Sequence, residues 1–182
     1  MWQLVVFVIA SIGLIYISRE SLRVRAHGLY RFFAWEFILA LFLLNVERWF
    51  DDPFAPHQLI AWTMLIVSAI LVIVGVRLLR AIGKPDRARQ DDSATIAFEK
   101  TTTLVEVGAY KYIRHPLYSS LLFLAWGIFF KAPSWLGGIL AIGATIFLIA
   151  TAKVEERENI RFFGAAYQTY IERTKMFVPL LF

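Results

Sequence analysis

The sequence contains no cysteine and only three histidines, His27, His57 and His115, in 182 residues. The absence of cysteine excludes disulfide bonds, thiolate metal sites and cysteine nucleophiles. The histidines are too few and too widely spaced to form a metal cluster, so we expect no metal site.

Charged residues are also scarce. They make up 18% of the chain, whereas an average soluble domain carries about 25%. Hydrophobic residues make up 59%, which is more apolar surface than one small soluble core can hide. The composition therefore predicts an integral membrane protein, and the length predicts a single domain.

Five apolar stretches divide the chain, and a membrane-spanning helix needs roughly 20 residues. The sequence predicts an all-α fold, an integral membrane bundle of five transmembrane helices with a C-terminal interfacial helix. The spans are expected at Trp2 to Ile17, Phe32 to Val46, Leu59 to Leu79, Leu117 to Phe130 and Trp135 to Ala152.

These stretches divide the single membrane domain 1–182 into three expected parts. Residues 1–79 hold three N-terminal spans, residues 80–115 form a cytoplasmic connection, and residues 116–182 form a helical hairpin and tail. In the tail, aromatic and aliphatic residues recur at steps of three and four and predict one interfacial helix with a single apolar face. Those residues are Ile160, Phe163, Tyr167 and Tyr170. This helix would either lie on the membrane surface or form a lid or wall over a site at the membrane boundary.

The basic residues indicate the orientation. If the N-terminus is outside, seventeen of the 19 lysines and arginines fall in cytoplasmic segments, and only Arg48 and Lys131 fall outside. This obeys the positive-inside rule at every loop. We therefore expect a cytoplasmic C-terminus and a first span that is retained, because it lacks a basic leader and a cleavage site. The same rule accounts for the net charge of +5, so nucleic acid is not an expected partner.

The motif Arg114-His115-Pro116 stands where the fourth helix should begin. Proline suits the first helical position, and the free N–H groups of the following turn, together with Arg114, would form a seat for a carboxylate. Gly108, ahead of Tyr110, would permit a tight turn against a ligand. The alternative is a proline-started helix with a basic residue at its boundary.

Two adjacent carboxylates, Glu155 and Glu156, follow the fifth span. At a cytoplasmic helix end they would oppose both the helix dipole and the positive-inside trend. Arg157, Arg161 or a bound cation would compensate them, and the rings of Tyr167 and Tyr170 would add cation–π attraction to a cation. The alternative is solvated charge at the membrane surface.

An antiparallel hairpin brings its two ends together. Pro116 and Glu156 bracket one hairpin, so we expect the two motifs to be neighbours. Glu36 is the acidic residue that lies well inside a span, and intramembrane ionisable groups are functional candidates. It is a candidate substrate-binding residue, unless it merely reaches the headgroups.

The segment LVEVGAYKYIRHPLY and the tail EERENIRFFGAAYQTYIERTKMFVP resemble the isoprenylcysteine carboxyl methyltransferases and the related phospholipid methyltransferases. The resembling motifs are a glycine and tyrosine before R-H-P-x-Y, then E-E, then F-G-x-x-Y-x-x-Y and F-x-P. They cover roughly residues 77–180. The resemblance implies an S-adenosylmethionine-dependent methyltransferase whose lipophilic acceptor arrives from the bilayer.

The resemblance also implies roles for individual residues. Arg114, Glu156 and Arg173 would be catalytic, and Tyr167 and Tyr170 would face the substrate. The implied cofactor pocket is formed by Gly108, Tyr110, Arg114, His115, Pro116, Tyr118, Glu155 and Glu156.

The acceptor is expected to be a prenylcysteine-like carboxylate, a lipid or a small hydrophobic molecule at the cytoplasmic interface. A carboxylate acceptor would need only an arginine to hold it, whereas an amine or thiol would need His115 or a glutamate as a base. Two alternatives remain at this stage. One is a membrane reductase of the sterol-reductase-like group that uses NADPH, and the other is a non-enzymatic lipid-binding protein.

Overall fold

The computed structural model describes residues 2–23, 27–84 and 101–180. Arg25 lies outside the described residues. So do residues 85–100, which make up much of the predicted cytoplasmic connection. The described part folds into six α-helices and two short 3-10 turns, Val46–Arg48 and Gly108–Lys111. The helices are α1 (Trp2–Arg23), α2 (His27–Asn45), α3 (Pro56–Ile82), α4 (Pro116–Lys131), α5 (Trp135–Phe163) and α6 (Ala165–Arg173).

Four helices, α1, α2, α3 and α5, are long and apolar enough to cross a membrane. With 16 residues, α4 falls just below the usual range of about 17–25 residues for a spanning helix. The all-helical fold and the integral membrane class are therefore confirmed, with four helices that meet the length and composition of a span.

Local sequence explains where the hairpin helices begin. Pro116 is at the start of α4, as predicted, and its fixed φ suits that position. The Ser134 side chain caps α5 by accepting a hydrogen bond from the Gly137 N–H at 3.1 Å. Because only three residues separate α4 from α5, the two helices form the expected antiparallel pair.

The bundle has α4 at its centre, in contact with α3, α2 and α5. A buried cluster joins α2, α4 and α5, and small residues on α5 let these helices approach closely. Its members are Ile38, Leu41, Ala125, Ile128, Ala141 and Ala144. α1 packs against α2 at the edge of the bundle.

A buried lysine fastens the end of α4 that lies opposite Pro116. The Nζ of Lys131 donates to Gln58 Oε1 at 2.8 Å, and Gln58 Nε2 donates to the Lys131 carbonyl at 3.0 Å. The same Nζ lies 3.4 Å from the ring centroid of Trp62. These contacts fix the N-terminus of α3 to the C-terminus of α4 and stabilise the cation by hydrogen bonding and cation–π attraction.

The tail differs from the prediction. α5 does not end near Ala152 but continues for another three turns, to Phe163. Gly164, at φ 61°, then breaks the helix in a conformation that favours glycine. The prediction of one interfacial helix that carries all four apolar residues is therefore wrong, because Phe163 belongs to α5 while Tyr167 belongs to α6.

Because α5 continues to Phe163, the helix dipole does not act on the two adjacent carboxylates as expected. Glu155 and Glu156 lie inside α5, about two turns before its end. The dipole acts only within the terminal turn, so it does not oppose these two carboxylates. Their compensation comes from side chains across the hairpin.

We predict that Gly143→Ala destabilises the bundle. A Cβ at Gly143 would lie 2.4 Å from Phe37 on α2, and the resulting overpacking should lower the free energy of unfolding by about 1–3 kcal/mol. Thermal unfolding in detergent measures the effect.

Gly138→Ala, on the same helix, is the matched control, because the nearest atom would lie 3.8 Å from its Cβ. Both substitutions gain similar helix propensity. Equal unfolding temperatures for the two variants would show that the α2–α5 contact is not tight.

Candidate functional site

A cleft opens beside the start of α4, between α3, α5, α6 and the segment that precedes α4. Charged and polar groups occur at one part of its wall, and aromatic and aliphatic groups form the rest. The lining residues are Leu79, Thr101, Leu104, Val105, Tyr110, Arg114, His115, Leu117, Tyr118, Glu155, Asn159, Phe163, Tyr167 and Tyr170.

Glu156 joins the two ends of the hairpin. Its Oε1 accepts a hydrogen bond from Arg114 Nε and lies 3.3 Å from His115 Nε2. The Arg114 and Glu156 side chains are only 11% and 13% exposed, so this is a nearly buried, charge-assisted contact. The expected proximity of the two motifs is confirmed, and Arg114 supplies the compensating charge for Glu156.

Glu155 lies on the cleft wall and has its own partners. The Tyr118 hydroxyl donates to Glu155 Oε2, and His115 Nδ1 lies 3.8 Å from Glu155 Oε1. The His115 ring is thus placed between two carboxylates, with its side chain 2% exposed.

Residues 174–176, in the tail of the chain, accept hydrogen bonds from the Arg114 motif. The Arg114 N–H donates to the Lys175 carbonyl at 2.9 Å, and the His115 N–H donates to the Met176 carbonyl at 3.2 Å. Arg114 Nη1 donates to the Thr174 carbonyl at 2.9 Å. Residues 174–176 therefore fix both the backbone and the guanidinium of this motif.

Asn159 is a cleft residue that the motif reasoning missed. It follows Glu155 by four residues, and Phe163 follows by four more, so the three share one face of α5. All three line the cleft. The four-residue spacing from Glu155 predicts that Asn159 shares its helix face, provided that α5 continues beyond Ala152.

Two buried tyrosines of α6 cover the cleft. Tyr167 is 3% exposed and Tyr170 is 2% exposed. The Tyr170 hydroxyl donates to the Tyr110 carbonyl at 2.7 Å, and the Tyr167 hydroxyl shares a hydrogen bond with the Asn159 side chain. α6 is therefore a wall of the cleft, tied both to α5 and to the turn before α4.

Burial raises the pKa of both hydroxyls. For Tyr167 the nearby negative charge of Glu155 adds to burial and keeps the pKa well above its usual range. For Tyr170 burial acts with the charge of Glu106 in the same direction. Both phenols therefore stay protonated at neutral pH and do not act as bases.

Two predicted residues shape the site without lining it. Gly108 has φ 59°, and a Cβ there would lie 2.8 Å from Leu78. The glycine is thus required by the turn and by its contact with α3. Pro116 is buried at the start of α4 and orients the residues on either side of it.

Two other predicted residues lie off the cleft wall. Arg173 is about half exposed and pairs with Glu106 at 2.5 Å, where α6 meets the segment before α4. Glu36 accepts a hydrogen bond from Ser11 at 2.7 Å, between α2 and α1. Its Oε1 is buried and has no hydrogen-bond partner within the described ranges.

The donor set suits a small zwitterion with an aromatic part. Arg114 can hold a carboxylate, Glu155 can hold a cation, and the aromatic rings can stack against a flat heterocycle. Within residues 2–23, 27–84 and 101–180, no group of three His, Cys, Asp or Glu side chains could hold a metal ion.

Comparison with known proteins bears on the chemistry. A model of the family described as phospholipid methyltransferase matches residues 57–166, which is more than half of the chain. The match includes the Arg114 motif, both glutamates and Asn159. No solved structure matches the chain.

Curated relatives match over a shorter length. Methanethiol S-methyltransferase 2 of Bradyrhizobium diazoefficiens is 37% identical over 75 residues, which are 40% of this chain and 27% of that relative. Methanethiol S-methyltransferase of Pseudomonas deceptionensis is 30% identical over 74 residues, again 40% of this chain and 27% of the relative. The chain covers about a quarter of the length of these relatives.

The raised tyrosine pKa values predict an alkaline loss of stability. An unfolded tyrosine ionises near pH 10, whereas Tyr167 and Tyr170 stay neutral in the fold. Above about pH 10 the folded state therefore binds more protons, and the free energy of unfolding should fall by about 1.4 kcal/mol per pH unit for each such tyrosine. Thermal unfolding midpoints between about pH 9 and 11 test this.

Tyr167→Phe should make that decline less steep. Tyr112→Phe, at an exposed tyrosine, is the control and should keep the wild-type slope. A Tyr167→Phe variant with the full wild-type slope would contradict the assignment.

Proposed function

Since the chain belongs to the phospholipid methyltransferase family, we propose that it transfers a methyl group from S-adenosylmethionine to a lipophilic or small acceptor at the cytoplasmic membrane interface. The observation that carries this proposal is the cluster at the hairpin base, where the residues just before α4 meet the two adjacent glutamates of α5. There Glu156 joins Arg114 to His115, and Glu155 lines the adjoining cleft.

The residues present fit this cofactor. Among the described residues, the Nη2 of Arg114 has no hydrogen-bond partner, and Arg114 lines the cleft. It would hold the carboxylate of the cofactor's amino-acid end. Glu155 would hold the ammonium group, and Tyr118 orients Glu155 by donating to it. When bound, S-adenosylmethionine supplies a methyl group on a cationic sulfur.

The chain's main contribution is orientation and proximity. Glu156 keeps Arg114 in place, and the carbonyls of Lys175 and Met176 fix the backbone of Arg114 and His115. Tyr167 and Tyr170 close the cleft over the site and reduce its contact with water. Gly108 and Pro116 provide the turn and the helix start that aim these groups.

The need for a base depends on the acceptor. A carboxylate acceptor carries no proton to remove and needs only a cation to hold its oxygen. A thiol or amine must lose a proton, and His115 is the candidate base because its ring lines the cleft beside Glu155 and Glu156. The names of the curated relatives support including small thiols among the acceptors.

The two alternative functions are not favoured. The family match and the relatives are methyltransferases, which argues against an NADPH-dependent reductase. They also argue against a purely lipid-binding protein.

We further propose five transmembrane helices, with the N-terminus outside and the C-terminus in the cytoplasm. α4 is about 24 Å long, but it lies between α3, α2 and α5, so protein covers much of its surface. Glu155 lies about 20 residues beyond Trp135, or about 30 Å along α5, which matches the thickness of the hydrocarbon core. This length supports a cleft at the membrane boundary.

The cofactor assignment predicts the behaviour of two variants. Glu156→Gln and Arg114→Ala should each weaken binding of S-adenosylhomocysteine by at least about tenfold, because a charged contact to the ligand is misplaced or lost. Isothermal titration on the purified, detergent-solubilised protein measures this, with thermal unfolding to show that the fold persists.

The matched controls are Glu172→Gln and Arg157→Ala, at exposed positions on α6 and α5. They should bind as the wild type does. Undiminished affinity in both Glu156→Gln and Arg114→Ala would reject the assignment.

The topology predicts labelling from opposite sides of the membrane. The sequence has no cysteine, so Asp51→Cys and Glu172→Cys introduce unique thiols before α3 and on α6. A membrane-impermeant maleimide should label Asp51→Cys on intact cells, and Glu172→Cys only after permeabilisation. Labelling of both thiols from the same side would mean that α4 does not cross the membrane.

A further inference from the structure

We propose that Asn159 recognises the ribose hydroxyls of the nucleoside cofactor and so determines cofactor specificity. This inference rests on the proposed function and adds a residue that neither the charged motifs nor the aromatic wall includes. Asn159 is the carboxamide among the cleft-lining side chains of the described residues.

Its place in the fold is set by α5. Glu155, Asn159 and Phe163 follow one another at four-residue steps along one helix face, which separates neighbours by about 6 Å along the axis. All three line the same cleft. The wall therefore changes from a carboxylate to a neutral amide to an aromatic ring over about 12 Å.

The cofactor changes in the same order. Its amino-acid end is charged, its ribose carries neutral hydroxyls, and its purine is a flat aromatic ring. Arg114 and His115 lie with Glu155 at the charged end. Phe163 and Tyr167 stack at the other end, with ring centroids 6.3 Å apart, and provide surfaces for a purine. The amide lies where the ribose would be.

The chemistry of the amide suits this role. A carboxamide both donates and accepts and can make up to four hydrogen bonds, so its bond with the Tyr167 hydroxyl is compatible with contact to a ligand. That bond also limits the rotation of the Asn159 side chain. A leucine has the same branched shape and the same number of side-chain heavy atoms but no hydrogen-bonding atom, which makes Asn159→Leu the sharpest substitution.

The experiment compares S-adenosylhomocysteine with its 2′,3′-dideoxyribose analogue by isothermal titration. Wild-type protein should bind S-adenosylhomocysteine about tenfold more tightly than the analogue, the difference expected for one or two neutral hydrogen bonds. Asn159→Leu should bind S-adenosylhomocysteine about tenfold more weakly than the wild type does, and should no longer distinguish the two ligands. Gln168→Leu removes an exposed carboxamide on α6 and should behave as the wild type does.

The other outcomes are distinguishable. If Asn159→Leu weakens both ligands by the same factor, or neither, Asn159 has only a structural role and the inference fails while the proposed function stands. If wild-type protein binds neither ligand, the proposed function itself fails, and this inference fails with it.

Discussion

The geometry of the site depends on the contact of one carboxylate, Glu156, with two groups from the opposite end of a helical hairpin. Arg114 and His115 belong to the residues just before α4, whereas Glu156 lies about three-quarters of the way along α5. All three side chains are nearly buried. A buried charge without a partner is costly, so the pairing constrains how the two helices lie against each other. It also fixes the direction of the guanidinium that faces the cleft.

The tail completes this constraint. Backbone hydrogen bonds from Arg114 and His115 end on residues 175 and 176, and the Ser119 hydroxyl lies within hydrogen-bonding distance of the Phe177 carbonyl. Because α6 precedes this tail, the same segment that covers the cleft also orients its charged end. The charged groups and the aromatic wall are thus parts of one packed unit, and neither can shift far without the other.

Much of the hairpin could be predicted from the sequence, because its signals are local or follow from topology. Pro116 marks a helix start, a short connection enforces an antiparallel pair, and charge complementarity then requires Glu156 to meet a cation. The course of α5 could not be predicted in the same way. Its polar continuation beyond Ala152 resembles a membrane-surface segment, and only packing against α6 and the segment before α4 shows that it forms a wall.

That difference explains which residues were missed. Asn159 carries no charge and belongs to no recognised motif, so it becomes apparent only when α5 is one continuous helix. Glu36 shows the opposite case. Its intramembrane position predicts a functional role, but the structure places it against Ser11 on α1. It is not among the side chains that line the cleft.

The central claim is that this hairpin base presents a methyl donor to an acceptor. Its most direct measurement follows a labelled methyl group from S-adenosylmethionine into product, with methanethiol and a total membrane lipid extract offered as separate acceptors. The account predicts label in at least one product with wild-type protein, and none above background when Arg114 is replaced by alanine in a folded variant. Equal labelling by both proteins, or none by the wild type with either acceptor, would contradict it.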